Sequence, residues 1–422
     1  MFRAEMGNGR KSMKLARHLA LLLALAHISC ADATKVPDKK VDDVSNEAGA
    51  EPVQPAIQPG IFQFFGDVES MGAIRFAVVA NHTSLINGVH LVDSMLSAGL
   101  NVQRIFAPEH GFRGNVADGE AVSDERDPKT GLPVVSLYGK NKKPQQHQLE
   151  GIDVLVFDIQ DVGARFYTFL STMHYAMEAC ASQGIKVMVL DRPNPNIHYV
   201  DGPVLQSDFS SFVGLHPVPV VYGMSIGEYA LMVNGEGWLK DGLKCDLQIV
   251  PCANYSRDSR YVLPVAPSPN LPDMKAIYLY PSLCFFEGTS VSVGRGTPTP
   301  FTVIGEPANT KGKFTFIPAS IPGVSENPPQ KGLLCKGYDL GAELNMDTPI
   351  DSIHISWLVQ MYRETSKPET FFLTSGFIDK LAGTDQLRKA VVAGLSAGLI
   401  RASWKPDLDA FKEKRKPYLI YP

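Results

Sequence analysis

The sequence predicts an α/β fold: a Rossmann-like, doubly wound and mostly parallel sheet, followed by a second, smaller α+β domain. Three observations lead there. Continuous apolar runs at 74–80, 102–107, 152–159 and 186–191 read as strands covered on both faces. Stretches of helical periodicity alternate with them, the order of βαβ units. After residue 264 the alternation stops at the proline-rich "PVAPSPNLPDM", and the tail mixes strands and helices in another order.

The elements follow in chain order. "IRFAVVA" (74–80) is the first strand, and "VHLVDSMLSAGL" (89–100) has helical spacing. "VQRIFA" (102–107) and "IDVLVFDI" (152–159) are the next two strands. A long helix is expected over 166–182. There Phe166, Phe169, Leu170, Met173, Met177 and Cys180 recur at i, i+3, i+4 and i+7, and Gly184 ends it. "KVMVLD" (186–191) is a further strand. "SIGEYALMVNGEG" (225–237) is a helix with Ser225 as N-cap and Glu228 completing a capping box. "DLQIVPC" (246–252) closes the series.

Length and composition agree with two globular domains. A chain of 422 residues exceeds the usual single domain, and 44% hydrophobic residues suffice for an ordinary core. The formal charge is −4 and no basic block occurs in the body, which argues against nucleic acid as a partner. The N-terminus reads as an export signal. Lys14 and Arg17 precede an apolar run at 19–26, far shorter than the roughly 20 residues of a membrane span. "HISC" then ends at Cys30 and resembles a lipoprotein cleavage box, with Cys30 as the lipidated first residue. His27 departs from that box, and plain secretion is the alternative. Met13 opens a stretch that is a complete signal by itself, so a start at Met13 rather than Met1 stays open.

The expectation is an exported lipoprotein, periplasmic or at the cell surface, held to a membrane through its lipid. Residues 31–60, rich in Lys, Asp, Glu, Pro and Ala, read as a flexible tether. Residues 61–264 read as the Rossmann-like domain and 265–422 as the auxiliary domain. Cys180, Cys245, Cys252, Cys284 and Cys335 form no C-x-x-C pair, so no zinc or redox motif is indicated. Their number is odd, which leaves at least one thiol free. A bridge between Cys245 and Cys252 stays open.

In an open parallel sheet, ligands bind beyond the carboxyl ends of the strands. Four strands here end in unusual chemistry. The first ends in Asn81, His82 and Thr83, and the second in Pro108, Glu109 and His110. The third ends in Asp158, Gln160 and Asp161, with Arg165 and Tyr167 close behind. The fourth ends in Asp191, Arg192 and Asn194. Together they predict a polar cleft. Each has a plainer reading as well. Asp161 and Arg165 at i, i+4 make a local pair, and "DRPNP" makes a rigid turn. Asp158 ends a buried run and must be paired, so it is also a candidate to orient Arg165. Glu109 stands apart, because it follows a proline on a loop loosened by Gly111 and Gly114 and caps no obvious helix. His110 is equally readable as a structural histidine. Further on, "FFEGTSVSVGRGTPTPF" (285–301) sets Glu287 and Arg295 among glycines and small hydroxyls. No G-x-G-x-x-G follows the first strand, and neither a P-loop nor a G-x-S-x-G elbow occurs. No nucleotide cofactor and no metal is expected.

Several strings stand together in order: "APEHGFRG", "SLYG", "DVLVFDIQDVGARFYT", "VLDRPNP", "YGMSIGEYA", "PSPN" and "FFEGTSVSVGRGTPTPF". The series resembles the bacterial exo-acting β-N-acetylmuramidases of the NamZ type, from about residue 60 to the C-terminus. The resemblance implies a Rossmann-like domain with a smaller auxiliary domain. It implies release of N-acetylmuramic acid from the non-reducing end of peptidoglycan fragments such as MurNAc-GlcNAc, and a catalytic acid at Glu109. Two departures are visible. "NIHYVDGP" follows "RPNP" where the family has a glycine-rich continuation, and Ser225 stands where threonine is commoner.

Glycoside hydrolysis uses two carboxyl groups, and Asp161, Asp158 and Glu287 are candidates for the second. Arg113, Arg165, Arg192 and Arg295 are candidates to bind the lactyl carboxylate of muramic acid. Asn81, Gln160 and Asn194 suit hydroxyls and the acetamide, and Tyr138 or Tyr167 suits stacking on the sugar. His110 and Asp191 complete the expected lining. Glu109 is expected to share one pocket with Asp161 and with at least one of Asp158, Asn81 and Asp191, closed by Glu287 and Arg295. Two other readings stay open. One is a non-catalytic muropeptide-binding lipoprotein. The other is a metal-dependent hydrolase using His110, Asp158 and Asp161.

Overall fold

The strands of the central sheet follow the apolar runs. The computed structural model describes residues 55–66, 71–109, 111–113, 125–139, 141–348 and 350–422; Cys30, His110, Gly114 and nearly all of the expected signal and tether lie outside them. The strands in chain order are β1 (Arg75–Ala80), β2 (Leu85–Ile86), β3 (Val89–His90), β4 (Asn101–Ala107), β5 (Glu125–Arg126), β6 (Pro133–Ser136), β7 (Val154–Asp158), β8 (Lys186–Leu190) and β9 (Leu247–Val250). They are followed by β10 (Val303–Glu306), β11 (Phe314–Phe316) and β12 (Cys335–Asp339). The main sheet has the order β5-β6-β4-β1-β7-β8-β9. Every neighbouring pair in it is parallel except β5 with β6. A mostly parallel, doubly wound sheet is therefore present, as expected. The edge pair β5–β6 is an addition, because β5 is two charged residues and β6 four residues opening at a proline, neither long enough to read as an apolar run.

Both faces of the sheet are covered, and the side chains alternate accordingly. Ala77, Val79, Leu155 and Phe157 face one core, with α4 (Phe169–Ala181) and α5 (Ile226–Gly235) packed on it. Phe76, Val78, Val154 and Val156 face the other, with α1 (Gly60–Phe64) and α2 (Leu91–Ser97), and the one-turn α3 (Gln146–Leu149) precedes β7. Burying each large apolar side chain contributes about 1.5–3 kcal/mol. The helix expected over 166–182 begins three residues later, and Phe166 stays buried on the loop before it. The one expected over 89–100 is shorter, because Val89 and His90 first pair with Leu85 and Ile86. The capping box is present. Ser225 Oγ accepts from the Glu228 amide at 3.1 Å, and Glu228 Oε2 accepts from the Ser225 amide at 3.0 Å.

Beyond β9 the chain builds a small antiparallel sheet, β10-β12-β11, among helices. These helices are α6 (Met274–Leu283), α7 (Leu340–Glu343), α8 (Ile355–Glu364), α9 (Phe377–Ala382), α10 (Gln386–Val392) and α11 (Ala397–Arg415). One hydrophobic core joins this half to the α4 face of the main sheet. Residues 55–422 accordingly form one compact unit. The C-terminus returns to the main sheet, where Tyr421 donates its hydroxyl to Asp191 Oδ2 at 2.6 Å. Cys180, Cys245, Cys252, Cys284 and Cys335 are all free and buried, so Cys245 and Cys252 do not bridge. No helix among the described residues is long and apolar enough to cross a membrane.

Candidate active site

Glu109 is placed by the break in its strand. β4 ends at Ala107, Pro108 stops the ladder, and the Gly111 amide closes a turn onto the Pro108 carbonyl at 3.0 Å. Gly111 has φ +75°, a left-handed conformation that glycine adopts without strain. Phe112 then buries its ring edge-on against His90 at 4.5 Å and anchors the loop. Glu109 is left half-buried at the mouth of a cleft, where its Oε2 accepts a hydrogen bond from Thr168 Oγ1 at 3.0 Å.

The cleft has a volume of about 560 Å³ and lies between the carboxyl edge of the sheet and the C-terminal half. That size lies within the range of small-ligand sites. Phe166, Tyr167, Phe169, Tyr280 and Phe301 form an aromatic wall. Tyr280 is its hub, with edge-on contacts to Phe166 at 5.3 Å and Phe301 at 5.0 Å. Tyr167 is fixed by its hydroxyl, which donates to the Pro267 carbonyl at 2.7 Å. Opposite Glu109's strand, Glu287 and Arg295 line the same space. Arg295 Nε donates to Glu287 Oε1 at 2.7 Å, and its guanidinium lies over the Phe301 ring at 5.0 Å. The two side chains are 15% and 22% exposed, so the pair is sheltered yet open to the cleft.

Glu109, Tyr138, Tyr167, Glu287 and Arg295 line one cleft, but the expectation that Glu109 shares it with Asp161 and one of Asp158, Asn81 and Asp191 is corrected, and His110 lies outside the described residues. Asp161 is 2% exposed and lies outside the cleft. Its Oδ2 accepts from the Gly163 amide at 2.8 Å and from the Tyr222 hydroxyl. Burial pushes its carboxyl up to about 6 against those hydrogen bonds. Gly163 is left-handed, and a Cβ there would stand 2.2 Å from Asn194 Oδ1. Asp158 is sealed in a bidentate pair with Arg192, at 2.5 and 2.9 Å. Burial works against the Arg192 charge, but Asp158 more than compensates and raises its pKa.

Asp191 accepts from Ser225 and Tyr421 hydroxyls and from the Arg192 and Gly227 amides, and burial pushes it up to about 6. Arg165, 1% exposed, donates to the carbonyls of Pro203, Val218 and Leu381 instead of pairing with Asp161 or Asp158. Burial brings its pKa down to about 9. Asn81, Gln160 and Asn194 are spent on Thr83, on the Pro193 and Asp161 carbonyls, and on Asn196 and the Met224 carbonyl. Arg113 pairs with Asp127 at 2.7 Å and Asp93 at 3.2 Å, beside a separate pocket of about 350 Å³. For the residues beyond β1, β7 and β8 the physical reason is shared: the chain folds over those strand ends and gives these polar side chains internal partners, although Asn81 Nδ2, Asp161 Oδ1 and Arg165 Nε keep none. Arg113, beyond β4, is held away from the cleft by Asp93 and Asp127.

The sequence reading also missed lining residues. Thr168, Ser268, Asn270, Tyr280, Ser290 and Gln330 all line the cleft. Asn270 is 1% exposed and donates Nδ2 to the Val324 carbonyl at 3.3 Å. Gln330 donates to the Ser290 carbonyl at 2.6 Å. The strings "RFYT" and "PSPN" contained three of these residues, Thr168, Ser268 and Asn270, but Thr168 fell inside the expected helix and small polar residues among prolines are common in turns. No group of three or more His, Cys, Asp or Glu among the described residues is placed to hold a metal ion.

Known proteins share this architecture. The family model "Exo-beta-N-acetylmuramidase NamZ, N-terminal" matches residues 76–275, and its C-terminal counterpart matches 278–421. The peptidoglycan β-N-acetylmuramidase NamZ of Bacillus subtilis (strain 168) is 38% identical over 390 residues, which is 87% of this chain and 92% of that protein. A DUF1343 family protein from Bacteroides fragilis NCTC 9343 superposes with a TM-score of 0.79 at 45% identity, covering 87% of this chain and 99% of that one. A second DUF1343 protein from the same organism gives 0.73 at 26% identity with the same coverage. Matched through both halves, the chain belongs to the exo-β-N-acetylmuramidase NamZ family of glycoside hydrolases.

Proposed function

We propose that this protein is an exo-β-N-acetylmuramidase that releases N-acetylmuramic acid from the non-reducing end of peptidoglycan fragments, with Glu109 as general acid. The observation that carries the reading is the cleft, where Glu109, Glu287 and Arg295 line one aromatic-walled space in a chain of this family. Cleaving a glycosidic bond needs a proton for the leaving oxygen and a partner for an oxocarbenium-like transition state. Glu109 supplies the proton. Glu287 is the other carboxylate lining the cleft among the described residues, and it serves the positive charge or the attacking water. Arg295 is the arginine that lines the cleft among the described residues, so it is the candidate that meets the lactyl carboxylate. The aromatic wall packs against the sugar.

The test is a defined MurNAc-GlcNAc disaccharide incubated with wild type and with Glu109→Gln, each with and without EDTA. Wild type is expected to release free N-acetylmuramic acid regardless of chelator, because Asp158 and Asp161 are already committed to Arg192 and Tyr222. Glu109→Gln is expected to be about 10²–10⁴-fold slower. Near-normal turnover by a folded Glu109→Gln protein sinks its assignment. Binding without release by wild type favours the muropeptide-binding reading, and loss with EDTA favours metal chemistry.

A further inference from the structure

We propose that Thr168 is a positioning residue for the reaction, holding Glu109 Oε2 so that the transferred proton leaves from Oε1. The inference rests on the general-acid reading of Glu109. It starts from an irregularity. Thr168 occupies the N-cap position of α4, where a threonine hydroxyl ordinarily accepts from an amide of its own helix. Ser225 does so at the start of α5. Thr168 does not: its backbone is helical, at φ −71° and ψ −6°, and its side chain makes no capping bond. The hydroxyl instead crosses to the β4 loop and donates to Glu109 Oε2 at 3.0 Å, linking residues 59 apart in sequence.

The donor is well held. Phe166, Tyr167 and Phe169 on either side are buried, and Tyr167 touches Phe169 edge-on at 4.9 Å. The Thr168 carbonyl accepts from the Ser171 and Thr172 amides at 3.0 and 3.1 Å. Glu109 sits on a loop turned through a left-handed glycine, and the Thr168 hydroxyl is one anchor that limits its rotamers.

The direction of the bond carries the chemistry. The carbonyl oxygen of a protonated carboxyl is the better acceptor, so a donation from Thr168 to Oε2 favours the proton on the other oxygen. The proton therefore lies on Oε1. It passes to the glycosidic oxygen as the bond from that oxygen to the anomeric carbon breaks. The bonding pair stays with the leaving oxygen, and Glu109 becomes a carboxylate. The Thr168 hydroxyl then donates to a charged acceptor, so the contact favours the state formed by proton transfer.

The test compares Thr168→Val, Thr168→Ser and Glu109→Gln on the MurNAc-GlcNAc disaccharide. Valine keeps the shape without the donor, and serine restores the donor without the methyl. Thr168→Val is expected to lower kcat about tenfold with KM little changed. It should also shift the alkaline limb of the kcat/KM–pH profile upward by about half to one unit, because a donor that favours the carboxylate is gone. Thr168→Ser should recover both. The proposal is overturned if the valine protein matches wild type in rate and pH profile, or if serine is as impaired as valine. A fully active Glu109→Gln protein instead overturns the general-acid reading itself, so the two failures are distinguishable.

Discussion

Replacing Asp161 by asparagine separates a structural carboxyl from a catalytic one. In the folded protein burial pushes the Asp161 carboxyl up to about 6, while Tyr222 and the Gly163 amide pull it down. In an unfolded chain an aspartate titrates at about 3.9. The fold therefore binds this proton more tightly than the unfolded chain does. The associated stability is fully present below about pH 4 and is lost as pH rises through about 6. Between pH 4 and pH 7 that loss amounts to about 2–3 kcal/mol.

Asparagine does not titrate. Its side-chain oxygen can accept both donations now made to Oδ2, and its NH₂ takes the place of Oδ1, which has no hydrogen-bond partner. Any cost of that unpartnered amide is independent of pH. Thermal unfolding at fixed ionic strength should therefore show the variant gaining on wild type by about 2–3 kcal/mol from pH 4 to pH 7. Asp191, also pushed up to about 6, is common to both proteins and cancels. Muramic acid release should persist, because Asp161 lies outside the cleft. Parallel stability curves over this range would refute the buried-proton argument, and a folded but inactive variant would return Asp161 to the reaction.

Arg295→Met should weaken cleavage of a chromogenic muramic substrate about 10–150-fold more than that of the corresponding glucosaminide, the equivalent of a charge-assisted hydrogen bond of about 1.5–3 kcal/mol. Equal losses on both substrates would show that other groups read the lactyl carboxylate. The location of the enzyme is likewise a proposal: Cys30→Ala should move it from the membrane fraction to the soluble fraction of cells. Unchanged membrane association would remove the lipid anchor through Cys30.

Local features were legible because their physics is local. The apolar runs of β1, β4, β7 and β8 marked strands covered on both faces, and Ser225 and Glu228, three residues apart, close their capping box within one turn. Glu109 was legible for a similar reason. A proline ends the ladder one residue earlier and a glycine turns the loop two residues later, so its exposure beyond the strand end is decided within five positions.

Asp158, Asp161, Arg165, Asp191 and Arg192 were expected to line the site, and nothing local could show otherwise. A charged residue at a strand end looks the same in sequence whether it meets water or a folded-back loop. Its environment depends on partners far along the chain: Tyr222 for Asp161, 61 residues away, Tyr421 for Asp191, 230 away, and the Leu381 carbonyl for Arg165, 216 away. The order of strands, the packing of the C-terminal half on the α4 face of the sheet and the return of the C-terminal tail bring these groups together. Burying a charge without partners costs several kcal/mol, so those long-range contacts govern which polar residues become internal structure and which, like Glu109 and Arg295, stay open to a ligand.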